Sequence, residues 1–236
     1  MIAIITPTGG RPKQIELCFK WMINQTYKEE VLWVIVDDCV PTTTDFIEED
    51  LFPNWKIIKL YPKPEWQKGQ NTQARNLLAG IQAVKPYKPT FTFVIEDDDY
   101  YKSCYLTEMM KKCKPSFDVI GERFTVYYNV VLKGWRRNGN KDHASLFQTA
   151  FSPKGLEALE KACMKGSKFI DLMVFRNLVP RSKINLFEGL DLAIGIKGLS
   201  GRPGIGIGHK QRFLIQPDTD MSMLKTWVGN DHTYYL

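Results

Sequence analysis

Residues 91–101 read FTFVIEDDDYY. Five strand-forming apolar residues run into four consecutive acids, Glu96, Asp97, Asp98 and Asp99, and two tyrosines follow. An unbroken apolar run of this length reads as a strand buried on both faces. A second run, VLWVIVDDC (31–39), has the same form and ends in Asp37-Asp38. Around them, IAIIT (2–6) and WKIIKLY (55–61) read as further strands. The first is expected to stop at Pro7 and the Gly9-Gly10 pair. PKQIELCFKWMINQ (12–25) and NTQARNLLAGIQAV (71–84) carry apolar residues at helical spacing, the first opening on Pro12, whose missing N–H costs nothing there. TTTDFIEEDLF (42–52) is a weaker helix candidate, and PKPEWQKGQ (62–70) a polar loop. Alternating strands and helices over the first hundred residues predict an α/β fold with a mostly parallel, Rossmann-like sheet flanked by helices. Ligands of such sheets bind beyond the carboxyl ends of the strands, and both acidic clusters fall there.

The second half is less regular. YLTEMMKKC (105–113) reads as a helix and FDVIGERFTVYYNVVL (117–132) as strands, expected to be antiparallel additions. PKGLEALEKACMKG (153–166) is an amphipathic helix, and SKFIDLMVFRNLVP (167–180) is expected to be a second. GIKGLSGRPGIGIGHKQ (195–211) packs six glycines and a proline into a short span and is expected to be a loop. The last 20 or so residues look irregular. No repeat or low-complexity linker divides the chain, so one compact domain of 236 residues is expected.

Composition narrows the partners. No stretch approaches the ~20 apolar residues needed to span a bilayer, and MIAIITP reads as a strand rather than a signal peptide. Five scattered cysteines without a CxxC pair favour neither a disulfide framework nor a zinc site and fit a reducing cytoplasm. A net charge of +6 suits an anionic partner such as a nucleotide, a nucleic acid or a phosphorylated polymer, or simply a solvated basic face.

Four adjacent carboxylates at the end of a buried strand repel unless a cation joins them. Hard carboxylate oxygens suit Mg²⁺ or Mn²⁺, which keep positions open for water and substrate phosphates. An exposed acidic turn capping the next helix would also place acids here. TPTGGRPKQIELCFKWMINQTY, VIVDDC, NTQARN and VIEDDDYY, in this order over residues 2–101, resemble the nucleotide-sugar-binding half of a GT-A fold glycosyltransferase, the inverting family 2 fitting best. Residues 102–236 match loosely and would form the acceptor-binding half with a C-terminal loop.

The resemblance implies that Thr6, Pro7, Thr8 and Arg11 line the nucleotide-sugar pocket. Asp38 would accept a hydrogen bond from a uracil-like base, with Asp37 beside it serving either the nucleotide or the structure. Arg75 would reach the diphosphate. The acidic run supplies a DxD motif in one of two registers, Glu96-x-Asp98 or Asp97-x-Asp99. Glu96 and Asp97 are assigned to the nucleotide sugar, and Asp98, Asp99 and His209 to the metal. Asp171 would be the base that takes the acceptor's proton, with Glu188 and Asp191 as rivals. Trp135, Arg136, Arg137 and Lys141 would lie on the acceptor side, where aromatics beside cations suit sugar stacking, phosphate or a nucleic-acid strand.

The expected reaction is metal-dependent inverting transfer from a nucleoside-diphosphate sugar, a UDP-sugar for preference, to a hydroxyl. A hydroxymethylated pyrimidine in phage DNA leads among the acceptors, ahead of a cell-envelope glycan or polymer. A sugar nucleotidyltransferase and a non-catalytic binding module are the rival classes.

Overall fold

The computed structural model describes residues 1–166, 168–202 and 215–235. Two sheets form the body. The larger has the order β10-β6-β9-β4-β1-β2-β3, built from β1 (Ile2–Thr8), β2 (Val31–Asp37), β3 (Trp55–Leu60), β4 (Thr92–Val94), β6 (Val119–Glu122), β9 (Thr149–Phe151) and β10 (Ile184–Phe187). β3, β2, β1 and β4 run parallel, and β9 is antiparallel to both β4 and β6. The smaller sheet, β12-β8-β7-β11-β5, holds β5 (Tyr100–Tyr101), β7 (Phe124–Asn129), β8 (Gly134–Gly139), β11 (Ala193–Lys197) and β12 (Gln216–Pro217).

Strand alternation explains why the central strands are apolar throughout. Ile2, Ile4, Val31, Trp33 and Ile35 face one core with α1 (Pro12–Ile23), which contributes Ile15, Trp21 and Met22. Ala3, Ile5, Leu32, Val34 and Val36 face the other. There they meet Leu77 and Ile81 of α2 (Gln73–Val84) and Leu156 and Leu159 of α4 (Pro153–Met164). The remaining helices are α3 (Tyr105–Lys112), α5 (Ile170–Met173) and α6 (Ser222–Val228). With period-2 side chains and helices on both faces, every residue of β2 is buried.

α4 is set close to its sheet. Ser152 caps it by accepting from the Gly155 N–H (3.2 Å), and Pro153 opens it. A Cβ on Gly155 would lie 1.9 Å from the Asp118 backbone oxygen, which cannot swing away. Gly155→Ala should therefore cost about 2 kcal/mol net, despite the gain in helix propensity. Thermal unfolding should register a fall of roughly 4–8 °C; an unchanged midpoint would contradict this packing.

Several expectations need correction. β1 continues through Pro7 to Thr8, because β4 pairs with β1 only as far as Ile5 and leaves Pro7 no ladder bond to lose on that side. Residues 42–52 form no α-helix, only a 3₁₀ turn at Glu49–Leu51. The Asp37 carboxylate gathers the Thr43 N–H (2.7 Å) and the Thr43 and Thr44 hydroxyls (3.1 and 3.3 Å), which holds that segment in a turn. The helix expected over 167–180 is, among its described residues 168–180, one helical turn, α5, running into a π-turn at Val174–Leu178. Residues 195–197, assigned to the glycine-rich loop, complete β11. The chain's end is helical, as α6 followed by a 3₁₀ segment, Gly229–Tyr235. In 117–132, β6 pairs antiparallel with β9 but parallel with β10, and β7 pairs antiparallel with β8 but parallel with β11.

A cleft at the carboxyl edge of the sheet

The parallel register places the ends of three strands side by side. Thr8 pairs with Asp37, and Ile5 pairs with Val94, so Asp38 and the 96–99 run leave the sheet at one edge. A cleft of about 360 Å³ opens there. Its lining includes Pro7, Thr8, Arg11, Glu96, Asp97 and Asp98, together with Arg136, His143, Lys168 and Asp171.

The three aspartates of the run are nearly sealed from water, Asp97 and Asp99 each 1% exposed and Asp98 7%, while Glu96 is half-buried. Among the described residues, two cations reach it. Arg11 pairs with Asp97 and lies 3.7 Å from Asp98, while the Thr8 hydroxyl donates to Asp97 (2.7 Å). Lys197, at the end of β11, lies 3.0 Å from Asp99 and 3.5 Å from Asp98. Glu96 accepts from Gln73 Nε2 (2.9 Å), and its backbone N–H donates to the Tyr101 hydroxyl (2.9 Å). Burial, with the Asp98 charge added, pushes the Glu96 carboxyl up to about 7, against the pull of Lys197 and Arg11. Burial likewise raises Asp97 and Asp99. Oxygens of Glu96, Asp98 and Asp99 lie within 4.8 Å of one another. This group includes both acids of the Glu96-x-Asp98 register, together with Asp99.

Asp171, near the start of α5, lines the same cleft. Its Oδ1 accepts from the Leu172 N–H (2.8 Å). Burial raises its carboxyl pKa, opposed by that hydrogen bond and by His143 and Arg176. The two rivals are engaged elsewhere, in ion pairs outside the lining of the cleft. Asp191 forms a two-pronged pair with Arg137 (2.7 and 2.6 Å), and Glu188 meets Arg123 at 3.0 Å.

The nucleotide corner is more constrained than expected. Asp38 is 1% exposed and accepts from Arg75 (3.1 Å), Asn76 (2.8 Å), Arg202 (2.7 Å) and Thr72. Arg202 also stacks on Trp66, its guanidinium carbon 4.5 Å from the ring centroid. Gly9 is required beneath it: its φ is +149°, and any Cβ would lie 2.0 Å from Asp38 Oδ1. Arg75 spends its second nitrogen on the Pro64 carbonyl (2.5 Å). Asp37 serves the 39–44 turn.

Other assignments move. Thr6 is fully buried and accepts from Trp33 Nε1 (2.9 Å), because its side chain falls on the core face of β1. Trp135 packs edge-on against Trp227 (5.1 Å) in the smaller sheet's core, and Arg137, held by Asp191, also stays outside the cleft. Arg136, on the opposite face of β8 from both neighbours, does line it. The Lys141 carbonyl accepts from Arg181. His209 lies outside the described residues.

Lys197, Arg202, Gln73 and His143 were not anticipated as site residues. The alternation in AIGIK would have marked a strand delivering Lys197. Arg202 had no local signal beyond its place in the glycine-rich stretch.

The mixed α/β sheet thus carries one edge cleft lined by both carboxylates and basic side chains. The chain belongs to Glycosyl transferase family 2, whose family pattern matches residues 3–175. Among solved structures, it is similar to S. aureus TarS residues 1–349 in complex with UDP, with a TM-score of 0.57 and 16% identity over 83% of this chain and 60% of that one. The UDP-GlcNAc complex of the same protein gives 0.55 and 16%, over 84% and 59%. The longer TarS structure gives 0.54 and 13%, over 83% and 36%. The chain thus spans about 60% or less of each of these. No curated protein matches the sequence significantly. Among the described residues, no helix is long and apolar enough to cross a membrane.

Proposed function

We propose that this chain transfers a sugar from a UDP-sugar to a hydroxyl acceptor, with inversion and with a divalent cation, Mn²⁺ or Mg²⁺, as cofactor. One observation carries the reading: Glu96, Asp97 and Asp98 of the acidic run and Asp171 line a single cleft at the strand ends. Donor identity draws support from similarity to structures that hold UDP and UDP-GlcNAc.

The residues fit such a cation. Glu96, Asp98 and Asp99 offer hard oxygens at a spacing one ion can bridge, and Asp99 Oδ2 is buried without a hydrogen-bond partner. When bound, the ion would offset the negative charge that builds on the departing diphosphate. Asp98 is its main ligand, with Asp99 assisting and His209 as a further candidate. Pro7, Thr8, Arg11, Asp97 and Glu96 hold the nucleotide sugar, whereas Asp38 and Arg75 would reach the base and diphosphate only by giving up the protein partners they hold here. Asp171 takes the proton as the acceptor oxygen attacks the anomeric carbon and the bond to the diphosphate breaks.

Residues 1–101 then form the donor half and 102–236 the acceptor half. Arg136, Lys168 and His143 give the acceptor wall a basic character, which suits a polymer carrying phosphates. Hydroxymethylated pyrimidines in phage DNA lead, with an anionic cell-envelope polymer second.

Incubation with a panel of nucleotide sugars and Mn²⁺, and separately with nucleoside triphosphates and sugar 1-phosphates, tests the class. UDP release from one sugar donor is the expected result; pyrophosphate release from a triphosphate and a sugar 1-phosphate would indicate a nucleotidyltransferase, and binding without turnover a non-catalytic module. Mass spectrometry of hydroxymethylated DNA and of cell-envelope polymers then assigns the acceptor. On DNA, binding should weaken steeply with salt as counterions are released.

A further inference from the structure

Lys197 is out of place for a lysine. It is 6% exposed, at the last position of β11, and that strand belongs to the smaller sheet, whereas the acidic run follows β4 of the larger one. Lysines are almost never buried unless paired, and fixing the long side chain costs rotamer entropy. Here Nζ lies 3.0 Å from Asp99 Oδ1 and 3.5 Å from Asp98 Oδ2, and 5.8 Å from the Tyr127 ring centroid. The preceding residue adds a second donor, the Ile196 N–H, to the same Asp99 oxygen (2.9 Å). β11 therefore grips one oxygen of Asp99 with two donors and leaves Oδ2 buried without a hydrogen-bond partner. The ammonium reaches into the group of oxygens that a divalent ion would share.

We propose that Lys197 is a positioning residue that acts as a built-in countercharge. It holds Asp98 and Asp99 together before an ion arrives and competes with the divalent cation for their oxygens. The inference rests on the metal reading above. Its consequence is that the free protein binds the ion weakly and retains it well only when the donor's diphosphate supplies additional oxygens. A fixed positive charge beside an ion lowers that ion's affinity, and the diphosphate, carrying the opposite sign, reverses the balance.

The test compares the full chain with Lys197→Met, Lys197→Gln and Lys197→Arg. Free Mn²⁺ is titrated by electron paramagnetic resonance with and without UDP, and thermal unfolding is recorded with and without Mn²⁺. Without UDP, K197M and K197Q should bind Mn²⁺ on the order of tenfold tighter than the parent. Their ion-free Tm should fall, and Mn²⁺ should raise it by more than it raises the parent's. K197R should resemble the parent on both counts, and UDP should narrow the difference in affinity. A purely structural lysine would lower Tm without tightening Mn²⁺ binding. If K197M does not fold, K197Q, which keeps a donor for Asp99, decides. Equal or weaker Mn²⁺ binding by the folded neutral variant overturns the proposal. Should the parent bind no Mn²⁺ while a neutral variant gains it, the competition stands and the metal reading falls. Should neither bind it, both fall.

Discussion

Asp98→Ala should remove Mn²⁺-dependent binding of UDP while leaving the protein folded. Asp98 lines the cleft, is buried, and shares the ion-sized cluster with Glu96 and Asp99. Deleting a carboxylate from that set should cost at least the roughly 100-fold in metal affinity that losing an outer partner costs. Stability should survive, because Arg11 keeps Asp97 and Lys197 keeps Asp99, while Glu96 loses its nearest like charge. Calorimetry with UDP, with and without Mn²⁺, checks this. If the variant retains the parent's Mn²⁺-dependent affinity, Asp98 is not the ligand and the Asp97-x-Asp99 register returns to consideration.

Asp171→Asn should separate chemistry from donor binding. Asparagine keeps the shape and can still accept the Leu172 N–H, but it cannot take a proton. Loss of a general base typically costs 10²- to 10⁴-fold in rate, so kcat should fall by about that much with the donor KM little changed. The pH profile gives an independent check. Burial raises the Asp171 pKa from its usual value, and the base works only when ionised. Activity should therefore fall as pH drops through that raised value, and the acidic limb should be absent from the variant's residual rate. Normal turnover by the variant would mean that another group takes the proton. Asp191 and Glu188 would be poor substitutes, since each is tied to an arginine outside the cleft.

Residues 1–101 were legible because their signals are local. Apolar runs buried on both faces identified β2 and β4 directly, and the acids terminating them fell at one edge because parallel pairing aligns strand ends. Side chains that alternate across a strand were harder to place. Thr6 and Thr8 are two residues apart on β1, yet Thr6 meets Trp33 in the core and Thr8 meets Asp97 at the cleft. The fourfold capture of Asp38 joins the ends of β2 and α2 with Arg202, which is 164 residues away in sequence. No local pattern encodes such a contact. On β8, Trp135, Arg136 and Arg137 looked like one basic-aromatic patch, but the pleat sends only Arg136 into the cleft. Lys197 was hidden by its glycine-rich neighbourhood, which masked the two-residue alternation of β11.

The account stands on the acidic run holding a divalent ion against a donor's diphosphate. Anomalous diffraction at the manganese edge, from crystals grown with Mn²⁺ and UDP, tests that most directly. The predicted result is one strong peak within bonding distance of Asp98 and of the UDP diphosphate oxygens, opposite Asp171. Bound UDP with no peak beside Glu96, Asp98 and Asp99 would contradict it.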